Sequence, residues 1–286
     1  MNELGKISPK LPYFILETLN KDSVTFQLKV NTIFNLVYEN LKEAYLNLDV
    51  DVDGKYDKKK TMTLNKEFCQ EYIDVIQHEI VKKYNNIGES QYFRSLLYQY
   101  CKLPVFEREK VLFTKNYEKL QEAIYKKRRI RIYMKNQDNK GPREIEPYFI
   151  QRSEEFHYLF GYCLMRSEYR VFRISHIEKV IILKEDIIHM NPSKITEYKE
   201  NFDPFLSFQK RVVVRFTEEG ESKYKTIISN RPKKLKQEEN IYTFECSEKK
   251  AQVYFPQFFT AVEILEPKSL RNWYKEKLQT ALAYYQ

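Results

Sequence analysis

The alternation of apolar and polar positions divides the chain into three segments. Residues 1–115 combine apolar residues at helical spacing with two short extended pieces, residues 116–190 hold one helix followed by alternating strands, and residues 205–286 alternate strands with helices. A proline-bearing stretch, residues 191–204, is predicted to be a linker between the second and third segments. The pattern therefore predicts an α+β protein with several domains.

The first segment repeats the order strand, helix, helix. In each copy, alternating apolar residues predict a short strand, and apolar residues at helical spacing predict the helices that follow. The predicted strands are residues 6–11 and 61–64, and the predicted helices begin at Pro12 and span about 25–41, 67–84 and 91–100.

This order resembles the ribbon-helix-helix family of nucleic-acid-binding proteins, in which two strands pair antiparallel and lie in a groove of DNA. Two copies in one chain could form the unit, although the sequence leaves open whether the strands pair within or between chains. The alternative is an ordinary helical domain, and Pro9 would remove one donor from the ladder. The resemblance implies a ribbon that presents Lys6, Ser8, Lys10, Thr61 and Thr63 to nucleic acid.

The central segment begins with a predicted helix, residues 117–126. Short strands with tight turns follow it, and a helix before five such strands is typical of a small closed barrel of the Sm-like or SH3-like type. The predicted strands are residues 128–133, 143–150, 157–163, 169–174 and 177–183.

The residues of this barrel resemble those of the WYL family. The matches are Arg143 and Pro147, His157-Tyr158-Leu159 in place of the Trp-Tyr-Leu tripeptide, and Arg170-Val171-Phe172-Arg173-Ile174. His157 keeps a ring and is expected at the surface. His176 stands where the family usually has another Arg, so the charge there depends on pH. The resemblance implies a regulatory protein with a negatively charged ligand.

The predicted strands bring aromatic rings near guanidinium groups. Tyr158, Phe160 and Tyr162 share one strand face, whereas Arg170 and Arg173 fall on opposite faces of the next strand. At most one of the two arginines should point straight into a given pocket, unless bends or strand ends let both reach one site. Rings that stack on bases beside arginines that pair with phosphate suit single-stranded nucleic acid or a nucleotide; the alternative is that the rings are simply core. The predicted ligand-binding residues are Arg143, Arg152, Tyr158, Arg166, Arg170, Arg173 and His176.

The third segment predicts a small ferredoxin-like α+β sandwich. A basic run, residues 233–236, is expected to lie in a solvated loop. The final helix carries Leu270, Tyr274, Leu278 and Leu282 on one stripe. Residues 261–271 resemble the C-terminal extension that follows the barrel in WYL proteins, which implies that this segment mediates a homodimer or contacts the effector. The predicted strands are 211–216, 241–246, 252–255 and 260–265, and the predicted helices are 218–228 and 267–285.

Composition and charge narrow the class of protein. The 286 residues carry a formal net charge of +9, which permits a polyanionic partner such as nucleic acid. We expect no membrane partner, because no apolar run is long enough for a span, and no secretory pattern is visible at the first residues. The cysteines, Cys69, Cys101, Cys163 and Cys246, form no CxxC pair and are expected to be reduced in a cytoplasmic protein.

No motif predicts catalysis or metal binding. The chain has no phosphate-binding GxxxxGK[ST] loop, no HExxH and no GxSxG. Residues 49–54 match the opening of a calcium-binding loop, but Lys60 occupies the position that needs a bidentate Glu. We therefore expect no enzymatic activity, no metal and no cofactor.

Two functions fit these observations. The first is a DNA-binding transcriptional regulator whose barrel binds a negatively charged ligand, such as single-stranded nucleic acid or a nucleotide. The second is an RNA-binding accessory protein that stimulates a type VI-D CRISPR RNA-guided ribonuclease, because the chain also resembles the WYL proteins found with those enzymes. The expected partners are thus single-stranded RNA or DNA, duplex DNA, a second copy of the chain, or such a ribonuclease.

Overall fold

The computed structural model describes residues 6–7, 13–22, 64–65, 97–135 and 141–285. The chain divides into two compact units. Unit 1 comprises residues 1–119 and 154–157, and unit 2 comprises residues 120–153 and 158–286.

Unit 1 contains a two-stranded ribbon. Strand β1 (Lys6–Ile7) pairs antiparallel with β2 (Leu64–Asn65) within the chain. Only the backbone of Lys6 is described, and most of the predicted helices fall on residues that are not described, so the ribbon-helix-helix motif stays a prediction. Four of its predicted contact residues also lie outside the described residues: Ser8, Lys10, Thr61 and Thr63.

Helices account for most of the remaining described residues of unit 1. Helix α1 spans Tyr13–Lys21, residues 97–102 are helical, and α2 spans Val105–Leu112. Helix α3 (Thr114–Tyr125) begins in unit 1 and ends in unit 2, close to the predicted bounds of residues 117–126.

A nearly buried ion pair joins the end of α1 to α2. The guanidinium of Arg108 donates from Nε to Oδ2 of Asp22 at 2.7 Å, and the Tyr100 hydroxyl donates to the same oxygen at 2.7 Å. The two charged side chains are 12% and 11% exposed. Loss of either partner would therefore leave a buried charge uncompensated.

His157 is enclosed in unit 1 and not at the surface, so that expectation was wrong. Its side chain is 11% exposed, and the rings of Phe106 and Tyr117 approach it at 6.2 and 5.5 Å between centroids. Its backbone N–H donates to Oε2 of Glu109 at 2.6 Å. The ring packs among aromatic residues, as an amphipathic side chain with an apolar body can.

Unit 2 contains the five predicted strands of the central segment as one sheet. Their hydrogen-bonded order is β6-β5-β4-β3-β7, with β6 and β7 at the edges. A short 3-10 turn, Ile174–His176, connects these two edge strands in the chain. The order is that of a small meander, while closure into a barrel stays a prediction. The strands are β3 (Arg128–Met134), β4 (Arg143–Ser153), β5 (Phe156–Cys163), β6 (Glu168–Arg173) and β7 (Ile177–Asp186).

Gly161 allows β5 to approach β4 closely. A Cβ atom at this position would lie 2.6 Å from the carbonyl oxygen of Glu146 and 2.7 Å from Cγ2 of Ile145. Both distances are shorter than packed atoms tolerate, so a side chain here would displace the backbone of β4. The glycine therefore serves the packing of the sheet.

The predicted linker contains a helix, α4 (Pro192–Glu200). The Asn191 side chain accepts a hydrogen bond from the Lys194 N–H, and Pro192 occupies the first turn. Both are helix-starting signals, so the stretch that was predicted to be a linker includes a helix that the sequence analysis did not predict.

The C-terminal part of unit 2 is a four-stranded antiparallel sheet with three helices. The strand order β11-β8-β10-β9 is the one that two interlocked βαβ connections produce. Its core includes Val212, Val214, Phe244 and Phe255, all 0% exposed. The elements are β8 (Arg211–Phe216), α5 (Glu218–Thr226), β9 (Lys233–Glu238), β10 (Ile241–Glu245), α6 (Glu248–Tyr254), β11 (Val262–Glu266) and α7 (Lys268–Ala283).

Two predictions in this part were wrong. Residues 252–255 belong to α6 and the turn after it, because Ser247 caps a helix that the apolar run then continues. The basic run at residues 233–236 forms β9, an exposed edge strand that pairs with β10. Lysine on an edge strand hinders pairing with other chains, so charge there is compatible with a strand.

The structure confirms a mixed α and β fold with antiparallel sheets. Within the described ranges, every helix is too short or too polar to cross a membrane.

Candidate functional site

A concavity of about 820 Å³ runs along the edge strand β6 in unit 2. The rest of its wall comes from the other strands of the same sheet, from α4 and the segment after it, and from the start of α6. Its lining residues are Met134, Arg143, Tyr162, Ser167, Glu168, Tyr169, Arg170, Val171, Phe172, Arg173, His176, Lys194, Tyr198, Pro204, Phe205, Leu206, Lys210, Ser247, Glu248 and Lys249.

The concavity follows the edge of β6 and not one face of it. All residues from Ser167 to Arg173 line it, although successive side chains of a strand point to opposite sides. Arg170 and Arg173 both line it, although they lie on opposite faces of the strand. Because β6 is an edge strand, a ligand in this place can meet side chains from both of its faces.

Positive charge dominates the lining. Among the described residues, six cationic side chains and two carboxylates face the concavity. Burial lowers the pKa of Lys249, and the nearby charges of Arg170 and Lys210 lower it further, which indicates crowded positive charge. The cationic residues are Arg143, Arg170, Arg173, Lys194, Lys210 and Lys249, and the carboxylates are Glu168 and Glu248.

Neighbouring side chains orient the arginines on β4 and β6. Arg170 Nε donates to Oε1 of Glu168 at 2.8 Å, and Arg173 Nε donates to Oγ of Ser175 at 2.7 Å. The guanidinium of Arg143 lies 6.0 Å from the centre of the Phe172 ring. A guanidinium carries five N–H donors in a planar fork, a geometry that matches the oxygens of a phosphate.

Aromatic rings line the same concavity. The Tyr169 ring stacks on Phe160 at 5.5 Å between centroids, and the ammonium of Lys194 lies 5.2 Å from the Tyr169 ring. Tyr198 of α4 approaches Tyr169 at 5.7 Å, and Tyr162 completes the set of lining tyrosines. These rings offer stacking surface next to cationic groups, which is the combination that single-stranded nucleic acid requires.

Tyr158 does not line this concavity. Its ring lies 6.2 Å from the ring of Phe202, a residue just after α4. Phe160, which shares its strand face, is 0% exposed and stacks on Phe149 at 4.7 Å. For these two positions the alternative of a packed aromatic core describes the structure better than a stacking platform does.

A buried carboxylate fixes the chain that leads into α4. Glu146 of β4 is 0% exposed and accepts hydrogen bonds from the backbone N–H groups of Ile188 and His189 at 3.1 and 2.8 Å. Arg129 Nε and the Tyr148 hydroxyl also donate to it, each at 3.1 Å. Burial raises the pKa of Glu146, but the hydrogen bonds from His189 and Ile188 outweigh this effect, and its pKa lies below the ordinary value.

His189 connects the buried Glu146 with the wall of the concavity. The His189 ring stacks on Tyr162 at 4.3 Å with 15° between the planes. Tyr162 lines the concavity. The hydrogen bonds to Glu146 therefore position the backbone of residues 188–189 and, through the His189 ring, the ring of Tyr162.

The structure thus divides the seven predicted residues into two groups. Arg143, Arg170, Arg173 and His176 line one concavity, whereas Arg152, Tyr158 and Arg166 do not. Arg152 and Arg166 are exposed residues at a strand end and in a turn.

The sequence missed the lining residues that come from other elements. Lys194 and Tyr198 lie on α4, within the stretch that the sequence predicts as a linker. Lys210 and Lys249 belong to the C-terminal part of unit 2. No pattern in the sequence indicates where those side chains meet.

A known family model matches the central segment of the chain. The WYL domain model matches residues 115–182. The crystal structure of a CRISPR Cas-related protein is similar with a TM-score of 0.70 and 16% identity, covering 98% of this chain and 94% of that one. That likeness concerns the fold alone.

A weaker likeness is to proteasome accessory factor B/C of Arthrobacter aurescens, with a TM-score of 0.30, 12% identity, and coverage of 100% of this chain and 51% of that one. This likeness is too low to bear on the fold. The comparison with curated proteins gave no match.

Proposed function

From the WYL domain that the chain carries at residues 115–182, we propose that this is a nucleic-acid-binding regulatory protein. The concavity along β6 binds a single strand of nucleic acid or a nucleotide. The ribbon formed by β1 and β2 binds duplex DNA, as in a transcriptional regulator. The observation that carries this proposal is the gathering of six cationic side chains and three tyrosines around one concavity of the described structure.

The chemistry of the lining suits a phosphodiester ligand. Guanidinium groups such as those of Arg170 and Arg173 form charge-assisted hydrogen bonds with phosphate oxygens. Tyr162, Tyr169 and Tyr198 offer ring faces and edges to bases, and stacking on such rings tolerates any base. This part of the proposal therefore predicts weak sequence preference in the concavity.

Regulation follows from the position of the concavity within unit 2. Its lining comes from the WYL sheet and from the C-terminal part, so a ligand there contacts both. A ligand that binds one arrangement of these parts better than another shifts the population toward that arrangement. We propose that this shift alters the affinity of the protein for its target.

The homodimer that the resemblance implies is also a proposal. Helix α7 buries Leu270, and its Tyr274 hydroxyl donates to the backbone of Ala251 at 3.0 Å. The same stripe continues with Leu278 and Leu282, which are 48% and 58% exposed. A second copy of α7 would extend the apolar packing that the first half of the stripe begins.

A second candidate function is an RNA-binding accessory protein that stimulates a CRISPR RNA-guided ribonuclease. The fold likeness to a CRISPR Cas-related protein over 98% of this chain favours it. In this case the concavity binds RNA, and the chain has no DNA operator of its own.

A binding experiment tests the proposal and separates the candidates. Affinities for single-stranded RNA, single-stranded DNA and duplex DNA are measured by fluorescence anisotropy for the wild type, Arg170→Ala and Arg173→Ala. Hydrogen bonds to charged groups contribute about 1.5–3 kcal/mol, so each variant should weaken single-strand binding by about tenfold or more. Preference for a duplex supports a transcriptional regulator, and preference for RNA supports the accessory protein.

The matched controls are Arg152→Ala and Arg166→Ala. These arginines are exposed and do not line the concavity, so single-strand affinity should stay within about twofold. Equal losses in all four variants would place the binding surface elsewhere. Absence of binding to every nucleic acid at low salt would overturn the proposed function.

A further inference from the structure

Exposed apolar side chains follow one another along the end of α6 and the turn after it. Helix α6 continues into 3-10 turns over Phe255–Ala261, and residues three apart lie side by side in such turns. Val253, Pro256 and Phe259 are spaced three residues apart along this segment, and all three are exposed, Val253 at 47% and Phe259 at 67%. These three residues form the apolar ridge.

The residues between the members of the apolar ridge fix it to the core. Tyr254, Phe255 and Phe258 are each 0% exposed, and the Phe258 ring lies 5.1 Å from the ring of Phe216 on β8. The Tyr254 hydroxyl also donates to the backbone oxygen of Ile227 at 2.9 Å. A packed segment therefore presents the ridge, so a partner that bound it would have little of the chain to order.

The backbone of Phe259 adopts a conformation that is unfavourable for a residue with a side chain. Its φ is 51° and its ψ is −114°, a region that glycine tolerates and that a Cβ atom disfavours. The ring gains little burial in return, because two thirds of it is exposed. Residues held in such conformations cluster at sites where ligands or partners bind.

Two other segments of the C-terminal part border the turn that carries Phe259. The Thr217 N–H donates to the backbone oxygen of Ala261 at 3.2 Å, which places the first turn of α5 beside it. The Phe216 N–H donates to the backbone oxygen of Asn240 at 2.9 Å, which places the connection between β9 and β10 at the same end of the sheet.

These two bordering segments are acidic, in a chain whose net charge is +9. Glu219 and Glu238 pair with neighbouring lysines at 2.6 and 2.5 Å. In the part of the chain that the structure describes, Glu218 and Glu239 have no ion pair. Their carboxylates repel nucleic acid and anionic lipid and attract cationic side chains.

We propose that the apolar ridge is a docking surface for a basic segment of a partner protein. The partner brings apolar side chains to Phe259 and Lys or Arg side chains to Glu218 and Glu239. An aromatic anchor with a polar rim is the usual centre of a protein interface. None of the ridge residues lines the concavity along β6, so this surface does not depend on nucleic-acid binding.

Panning of a random twelve-residue peptide library on the immobilised full chain tests the chemistry of the partner. Peptides enriched on the wild type should combine Lys or Arg with apolar residues and should not be enriched on Phe259→Gly. The affinity of the strongest peptide, measured by fluorescence anisotropy, should fall by about thirtyfold or more in Phe259→Gly, as for an interface anchor. Enrichment of acidic peptides, equal enrichment on both proteins, or no enrichment would overturn the docking surface.

Two further variants test the rim and the specificity of binding. Glu218→Gln combined with Glu239→Gln should weaken binding of the same peptide and flatten its salt dependence, because exposed charges act through screened attraction. The matched control is Ile228→Ser in the loop between α5 and β9, where the side chain is 72% exposed, and it should change the affinity by less than about twofold. A loss in Ile228→Ser equal to that in Phe259→Gly would indicate non-specific apolar binding and overturn the proposal.

Thermal unfolding tests the backbone conformation of Phe259 without a ligand. Glycine is relaxed at a positive φ and alanine is not, so Phe259→Gly should melt about 2–4 °C above Phe259→Ala. In ordinary helical or extended backbone the order is the reverse. A higher Tm for Phe259→Ala would therefore overturn the strained presentation of the ring.

Two more measurements separate a partner protein from other occupants. Light scattering should give the same mass for the wild type and Phe259→Gly, and a lower mass for the variant would make a second copy of the chain the occupant. Affinity for single-stranded RNA should also be unchanged in Phe259→Gly, and its loss would assign the ridge to the nucleic-acid site; either result overturns the proposal. Peptide binding by a chain that binds no nucleic acid would overturn the proposed function alone.

Discussion

The buried carboxylate of Glu146 gives a quantitative test of how unit 2 holds the chain against the sheet. Glu146→Gln keeps the size of the side chain but removes the charge and replaces an acceptor by a donor. The Arg129 guanidinium, the Tyr148 hydroxyl and the N–H groups of Ile188 and His189 then compete for one oxygen. Breaking a buried charge pair costs about 3–5 kcal/mol, so we expect the free energy of unfolding to fall by about 3 kcal/mol or more.

Thermal unfolding followed by circular dichroism at pH 7 measures this effect. For a unit of this size, a loss of 3 kcal/mol corresponds to a decrease in Tm of about 6–12 °C. The control is Glu144→Gln on the same strand. Glu144 pairs with Arg131 at 2.6 Å, but its side chain is 41% exposed, so its loss should cost at most about 1 kcal/mol.

The pH dependence supplies an independent check. The pKa of Glu146 in the folded protein lies below its ordinary value of 4.5. The charged carboxylate therefore stabilises the fold above the ordinary pKa, and this contribution is lost as the pH falls through the lower folded pKa. The wild type and Glu146→Gln should converge in stability as the pH falls below about 4.5. Equal destabilisation by Glu146→Gln and Glu144→Gln at pH 7 would refute the reasoning.

Three further predictions concern other parts of the chain. Gly161→Ala should lower the free energy of unfolding, measured in urea titrations, by about 1–3 kcal/mol, because the new Cβ meets the backbone of β4. The control Gly141→Ala should change this free energy little, because no atom lies within 4 Å of its Cβ. Asp22→Ala should expose α1 and α2 to hydrogen exchange, because it leaves Arg108 buried without its carboxylate at a cost of about 3–5 kcal/mol; unchanged protection would contradict a stabilising pair. If α7 mediates a homodimer, Leu278→Glu should halve the mass in light scattering while circular dichroism stays unchanged, and an unaltered mass would remove α7 from the interface.

The sequence predicted the elements of unit 2 well wherever the pattern was strongly periodic. The five strands of the central segment and the helix before them were confirmed, because alternation with turn residues between the strands specifies them locally. The errors fall where local signals compete. The cap at Asn191 was outweighed by the proline beside it, and residues 252–255 are apolar enough for either a strand or a helix.

The candidate site was predictable only in part, for a geometric reason. Arg170 and Arg173 lie on β6, His176 lies in the turn after it, and Arg143 lies on β4, which only β5 separates from β6, so a correct sheet already brings them near one another. Strand alternation assigned Arg170 and Arg173 to opposite faces, and only the position of β6 at the edge of the sheet lets both line one concavity.

What the sequence determined by itself was the helix and the five strands of the central segment and the excess of positive charge, since each depends on neighbours along the chain or on composition. The tertiary structure alone decided that Tyr158 packs against Phe202, and that Lys194, Lys210 and Lys249 meet the arginines of β6 around one concavity. Residues so distant in the chain are brought together by packing of the linker and the C-terminal part, and periodicity contains no information about that packing.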